Sequence, residues 1–271
     1  MSKQVKVSLI TVCYNAAALI EETLNSAVNQ TFQDFELVIV DGGSKDDTLA
    51  KLQAFKPFIG TLISEKDNGI YDAMNKGVAA AKGEWVYFLN AGDAFYNNNI
   101  LQDIFTNQSL LGSDLIYAKV ETKNEPTGIN YINGKPVTLP MFYSHYPICH
   151  QGTFAKKSVF STIGNFELKY PLVADSEWFI RLFKNTNLST KFVDKVVAYY
   201  DIQGATYHKR MQGYREYISV GFIHFPFFVA VLNLLLYPII WLKVWGIRTF
   251  QNTSWFKKYR AIKFKNKLSG E

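Results

Sequence analysis

The sequence predicts an α/β fold, a mainly parallel sheet flanked by helices, followed by a C-terminal helical segment. Three observations carry this. Short apolar runs alternate with amphipathic helical stretches through the first half of the 271-residue chain. Residues 64–93 read as a helix and then a strand that delivers an acidic residue, Asp93, at the strand's carboxyl end. In open α/β sheets ligands bind in the crevice outside those ends. Charge, finally, is split along the chain. Residues 1–220 are nearly neutral, residues 221–242 carry no Lys, Arg, Asp or Glu, and residues 243–271 hold eight Lys/Arg against one Glu.

Taken in order, residues 5–12 are the first strand, 17–29 an amphipathic helix and 35–40 the second strand. Residues 45–55 are predicted as a helix opened by Ser44, with Asp47 three residues on as a capping-box-like start. Residues 58–64 are the third strand. Ile70, Ala73, Met74, Gly77, Val78 and Ala81 recur at helical spacing until Gly83 stops the helix, and residues 85–89 form the next strand. Residues 114–120 are a further strand, and the alternation implies right-handed crossovers. Turn clusters at 124–128 and 133–136 separate short Ile/Tyr/Val runs, predicting hairpins within an inserted lid over 121–146. A helix over 173–184 and a strand over 191–200 complete a domain spanning 1–205, with 206–271 as the C-terminal segment.

Composition narrows the class. The chain is long enough for an ample core. Its two cysteines, Cys13 and Cys149, are too few for a disulfide framework and read as reduced thiols of a cytosol-facing protein. Residues 1–6 are polar and the first apolar run is only strand length, so no signal peptide is expected. No GxGxxG opens the first helix and no P-loop occurs, which argues against a dinucleotide site and a nucleotidyltransferase.

The candidate site residues sit where strands end. Val12, Tyr14 and Asn15 close the first strand; Tyr14 can stack on a base, and Asn15 can bond it or cap the helix that follows. Asp41 ends the second strand before Gly42-Gly43 and can accept from a base or ribose, or simply shape a turn. Asp67 precedes the helix carrying Asp72, whose expected role is surface solvation. Asn90, Ala91, Gly92 and Asp93 close the fourth strand. One carboxylate suffices for Mg²⁺ or Mn²⁺ when diphosphate oxygens supply other ligands, and capping the next turn is the alternative for Asp93. Asp175 falls at a helix start, where an acid is favoured electrostatically and where it can also serve as a general base. Glu177 follows it. His150, Gln151 and His208 are weaker candidates for contacts to an acceptor or diphosphate.

In this order and spacing the segments SLITVCYN, QTFQDFELVIVDGGSKDDT, DNGIYDAMNKGVAAAKGEWVYFLNAGD and YPLVADSEWFIRL resemble an inverting family 2 glycosyltransferase of the GT-A fold, over residues 7–200. The subtype is similar to bacterial capsule, exopolysaccharide and O-antigen transferases. The resemblance implies that Tyr14 and Asp41 hold the nucleotide base with Asp67 nearby. It further implies that Asp93 binds Mn²⁺ or Mg²⁺ on the donor diphosphate, and that Asp175 is the base that deprotonates the acceptor. Two departures stand out. Gly92 replaces the carboxylate that usually precedes the metal ligand, and the QxxRW motif of processive synthases is missing, which implies addition of a single sugar. A nucleotide-sugar donor, with UDP favoured, and a lipid-linked saccharide acceptor are the implied substrates.

Residues 221–242 approach the ~20 needed to cross a bilayer core, but Pro226, Pro238, His224 and Asn233 interrupt them. The basic tail could attract nucleic acid; the apolar span beside it points instead to a membrane surface. Because nucleotide sugars are cytosolic and basic flanks stay inside, the expectation is a monotopic or peripheral enzyme on the cytoplasmic face of the inner membrane. The segment would re-enter as a Pro-broken hairpin or lie in the interface, with Trp241, Trp245, Trp255 and Tyr259 at interfacial depth. The rival functions are a membrane-anchored nucleotide-sugar-binding protein without catalysis, suggested by Gly92, and transfer to polyprenyl phosphate, for which Lys156-Lys157 is the candidate phosphate cluster.

Overall fold

A computed structural model describes residues 5–123, 130–201, 209–250 and 253–254. The four N-terminal strands of the sheet are β1 (Val7–Cys13), β2 (Phe35–Asp41), β3 (Ile59–Ser64) and β4 (Trp85–Phe88), all mutually parallel where they pair. Between them run helices α1 (Ile20–Val28), α2 (Thr48–Leu52) and α3 (Ile70–Ala80). The short strand β5 (Ala94–Phe95) and helices α4 (Ile100–Phe105) and α5 (Gln108–Leu111) lead to β6 (Leu115–Lys123) and β7 (Tyr131–Asn133). Then come β8 (Thr153–Lys156), α6 (Lys157–Ile163), α7 (Ala174–Lys184) and β9 (Thr190–Asp201). The sheet order is β3-β2-β1-β4-β8-β6-β9-β5, with β7 paired to β6. β8 runs antiparallel to both β4 and β6, so the sheet is mixed beyond β4.

Successive side chains of β1, β2 and β4 divide between two cores. Val7, Leu9, Leu37, Ile39, Trp85 and Tyr87 pack with α1, α2 and α4, whereas Ile10, Val12, Val38, Val40, Val86 and Phe88 pack with α3, α6 and α7. A sheet covered on both faces needs strands that are apolar throughout, which is why these runs read as continuous rather than alternating. The covered faces leave the carboxyl edge of β1, β2 and β4 as the open margin.

Several expectations change. Ser44 does not cap a helix over 45–55: α2 starts at Thr48, and a 3₁₀ turn at Gln53–Phe55 follows it. In the lid, β6 and β7 pair as one antiparallel ladder, while the expected hairpin around 133–136 gives way to a 3₁₀ turn at Leu139–Tyr143. The turn cluster at 124–128 and the domain boundary at 205/206 lie outside the described residues. Residues 209–250 form two helices, α8 (Arg210–His224) and α9 (Phe227–Phe250), broken at Phe225-Pro226, with Pro238 inside α9 rather than ending it. α8 is fastened to the body, since Leu172 N–H donates to Glu216 (2.9 Å) and Lys184 Nζ to the His224 carbonyl (3.2 Å).

Candidate active site

The first two strand edges are stitched together by side chains. Asn15 takes a left-handed backbone (φ 48°), a conformation asparagine tolerates, which ends the β1 direction abruptly. Its N–H donates to Ser44 Oγ (2.8 Å), and its Oδ1 accepts from Lys45 N–H (2.8 Å). Tyr14 is thereby turned outward and is 63% exposed. Asp41 is fully buried; its carboxylate accepts from the Gly43 and Ser44 N–H groups (3.2 Å each), Ser44 Oγ and Ser64 Oγ (2.7 Å). Those bonds shape the Gly42–Ser44 loop. Burial, and then the Asp41 charge, push the Cys13 thiol up to about 12, so it stays protonated.

Gly42 matters for what lies against it. A Cβ there would overlap the Asp67 carboxylate and would sit 3.4 Å from the Tyr14 ring. Tyr14, Gly42 and Asp67 therefore form one cluster at the open edge, an exposed aromatic face beside a carboxylate. An aromatic face can stack on a heterocycle while a carboxylate accepts from its N–H groups.

At the end of β4, Ala91 N–H donates to the Val12 carbonyl (3.1 Å) and Asp93 N–H to the Asn90 carbonyl (2.9 Å), closing a tight turn. Gly92 sits at φ 101° with its N–H on Thr23 Oγ1 of α1 (2.9 Å). That backbone favours glycine, which gives a local reason for the missing carboxylate at this position. Asp93 is buried, and its charge is felt at His150 and Cys149.

Asp175, on the first turn of α7, meets this edge from the opposite core. Its Oδ1 accepts from Ser176 N–H (2.8 Å) and Tyr71 Oη of α3 (2.9 Å), and its Oδ2 faces His150 Nδ1 (3.3 Å). His150, in a 3₁₀ turn at His150–Gly152, has its Nε2 3.1 Å from Asn90 Nδ2. Burial alone would raise the Asp175 carboxyl, but the His150 hydrogen bond and charge, then Tyr71, bring it below the usual carboxylate range. His150 mirrors this: burial lowers it, and Asp175 more than offsets that, so the imidazole ends raised. Tyr71 is driven upward by burial and then by Asp175, so its hydroxyl remains a donor.

The structure thus brings Asn90, His150 and Asp175 into direct contact, with Asp93 three residues along the same turn as Asn90. It does not bring Glu177 to them. Glu177 is buried two residues further along α7, with its carboxylate held by Arg181 (Nε 2.9 Å, Nη2 2.8 Å) and His224 Nε2 (3.0 Å). Gln151 offers its backbone carbonyl to Tyr87 Oη (2.6 Å). His208 lies outside the described residues. Lys156 pairs with Trp85 in the β4–β8 register, which puts Lys156 and Lys157 at the amino end of β4, away from Asp93. Tyr71 is the site residue sequence reasoning missed; it lies among the periodic apolar positions of α3 and gives no signal of its own.

Among the described residues no three His, Cys, Asp or Glu side chains gather as a self-sufficient metal site. A single buried carboxylate on a tight turn, Asp93, fits the protein's share of a Mg²⁺ or Mn²⁺ site completed by substrate phosphates and water.

A mixed α/β sheet of this order, with flanking helices and a carboxylate, an amide and an imidazole collected at the carboxyl edge of its parallel strands, has the architecture of the GT-A fold. The chain belongs to Glycosyl transferase family 2, whose profile matches residues 8–164. It is 37% identical over 201 residues to a PGL/p-HBAD biosynthesis glycosyltransferase of Mycobacterium bovis, covering 72% of this chain and 76% of that one. An uncharacterized glycosyltransferase of Mycobacterium tuberculosis is 30% identical over 186 residues, 67% of this chain and 70% of the relative. Among solved structures, S. aureus TarS 1-349 in complex with UDP superposes with a TM-score of 0.63 at 22% identity, over 81% of this chain and 65% of TarS 1-349. The mannosyltransferase PcManGT of Pyrobaculum calidifontis, in complex with GDP-Man and Mn²⁺, gives 0.60 at 17% identity, over 100% of this chain and 89% of PcManGT.

Proposed function

We propose that this glycosyltransferase moves one sugar, with inversion, from a nucleoside-diphosphate sugar to a hydroxyl of a lipid-linked saccharide at the cytoplasmic face of the membrane. The observation that carries the reading is the half-buried Asp175 carboxylate, ionised by its partners and linked through His150 and Asn90 to the turn that bears Asp93. Asp175 takes the acceptor proton as the hydroxyl oxygen bonds to the anomeric carbon, and the bond to the diphosphate breaks on the opposite face. Asp93 would hold a divalent cation together with the donor, and that ion would supply positive charge to the departing diphosphate. Tyr14 stacks on the base beside Asp67, and Asp41 keeps the intervening loop in shape. A nucleoside-diphosphate sugar is the donor class common to the UDP-bound TarS and GDP-Man-bound PcManGT structures, and UDP is the favoured nucleotide on the family resemblance.

The membrane reading rests on α9, whose residues 227–246 reach a mean hydropathy of 2.0 although only Ala230 and Val244 among them are buried. Two of its polar side chains face the protein: Asn233 Nδ2 donates to the Tyr143 carbonyl (2.9 Å), and Tyr237 Oη accepts from Arg215 Nε of α8 (2.9 Å). Phe227, Phe228, Leu232, Leu235, Ile239 and Leu242 face outward. A helix that is greasier outside than inside is solvated by lipid, not water. Because α8 and its charged side chains run alongside, α9 is read as lying in the interface. Trp255, Tyr259 and most of the basic tail lie outside the described residues.

The test is nucleoside diphosphate release by detergent-purified protein from UDP-, GDP- and dTDP-sugars, with Mn²⁺ or EDTA. One donor should be turned over with the metal, and Asp93→Ala should abolish it. Metal-independent release unchanged in Asp93→Ala would overturn the assignment of Asp93.

A further inference from the structure

Resting on the assignment of Asp175 as the base, we infer that His150 is the residue that positions it, and that Asp175 Oδ2 is the oxygen that receives the acceptor's proton. The two carboxylate oxygens are held unequally. Oδ1 carries two short bonds, from Ser176 N–H (2.8 Å) and Tyr71 Oη (2.9 Å). Oδ2 carries one contact to His150 Nδ1 at 3.3 Å, leaving a lone pair for an incoming hydroxyl. A base must present that lone pair in a fixed direction, and a displacement of about 1 Å can cost on the order of 10²-fold in rate.

His150 fixes the direction because its own ring is held from the far side. With Nδ1–H donating to Oδ2, a neutral ring has Nε2 free to accept, and Asn90 Nδ2 stands 3.1 Å away to donate. The buried Asn90 Oδ1 has no hydrogen-bond partner in this orientation. If the ring is protonated, rotation of the carboxamide turns Oδ1 toward Nε2–H instead. In either charge state the proton on Nδ1 points at Asp175. The groups that face this cluster are Tyr71 from α3, Tyr146 from the loop before the His150 turn, the Cys149 thiol at the start of that turn, and Asp93 from the β4 turn.

In the reaction, the hydroxyl oxygen forms its bond to the anomeric carbon as its proton passes to Oδ2. The electron pair of the broken bond leaves on the diphosphate. His150 neither gains nor loses a proton in that step. It is a positioning residue, and it connects the base to the turn where the donor diphosphate is held.

Two substitutions separate its bonds, since an asparagine amide nitrogen falls near imidazole Nδ1 and a glutamine nitrogen near Nε2. Donor hydrolysis, in which water takes the acceptor's place, should fall on the order of 10- to 100-fold in kcat for His150→Ala. The donor KM and calorimetric UDP binding should stay near wild type. His150→Asn should recover most of kcat and His150→Gln little. The acid limb of the kcat profile should move to higher pH in His150→Ala, because the carboxylate loses a donor that favours its charged form. In ¹⁵N-histidine NMR spectra, with His150 assigned by its absence in His150→Asn, Nδ1 should stay protonated through the titration while Nε2 changes. An Nε2–H tautomer at high pH, or wild-type kcat and acid limb in His150→Ala, would overturn the inference. Turnover surviving in Asp175→Asn would instead remove the base assignment beneath it, an outcome distinct from either.

Discussion

Replacing Leu235 and Ile239 of α9 by aspartate tests whether the outward face of that helix meets lipid. The two side chains are 68% and 62% exposed, so neither contributes much to folding. Full burial of such a side chain is worth about 1.5–3 kcal/mol, and at two-thirds exposure each has about 1–2 kcal/mol still to gain from an apolar surface. Together they represent about 3 kcal/mol, or roughly a hundredfold in partition coefficient, before any repulsion between the new carboxylates and anionic headgroups. Cosedimentation with vesicles of phosphatidylglycerol and phosphatidylethanolamine reads the partition directly. Circular dichroism and the melting temperature should match wild type. Vesicle binding unchanged within a factor of two would refute the placement of this face in lipid.

Three further predictions concern Glu177, Gly92 and the Asp175–His150 pair. Glu177→Gln leaves the Arg181 guanidinium and His224 without their carboxylate, and removing one member of a buried pair costs about 3–5 kcal/mol; calorimetry should show a clearly lower melting temperature while kcat of the folded fraction is retained. Gly92→Asp forces a side chain onto φ 101°, about 1–2 kcal/mol, which should lower the melting temperature by several degrees. The third concerns pH. The Asp175 carboxyl is lowered on folding, so its stabilisation is complete above its ordinary 3.8 and is lost as pH falls through the lowered value. His150 is raised, so its share is complete below 6.5 and is lost as pH rises through the raised value. The stability gap between wild type and Asp175→Asn, measured by urea titration, should therefore be widest between about pH 4 and 6.5. A gap that is flat from pH 4 to 9 would contradict the pairing.

The parallel half of the sheet was legible because each strand is buried on both faces and each helix has one apolar stripe. Residues 7–13, 35–41 and 85–88 announce themselves by local pattern. β8, four residues of ordinary composition, did not; its place between β4 and β6 is settled by pairing with strands 30 or more residues away. The same holds for β5, two residues long. Ser44 looked like a cap because its spacing to Asp47 is right, but Asp41 and Asn15 claim its hydroxyl. In the candidate site, Tyr14, Asp93 and Asp175 were recoverable as exposed or acidic residues at element ends. The Tyr71–Asp175–His150–Asn90 chain was not, because it joins four elements spread over residues 71–175 and no local spacing encodes it. Of the two prolines in the apolar span, Pro238 is carried inside α9, and the turn falls at Phe225-Pro226.

The account turns on Asp175. Asp175→Asn keeps size and shape while removing the charge that accepts the proton. With the donor identified from the panel, kcat for donor turnover and calorimetric affinity for its nucleoside diphosphate should be measured on both proteins. The account predicts a fall of about 10²-fold or more in kcat with nucleotide affinity nearly unchanged. Turnover in Asp175→Asn within a few-fold of wild type would contradict it.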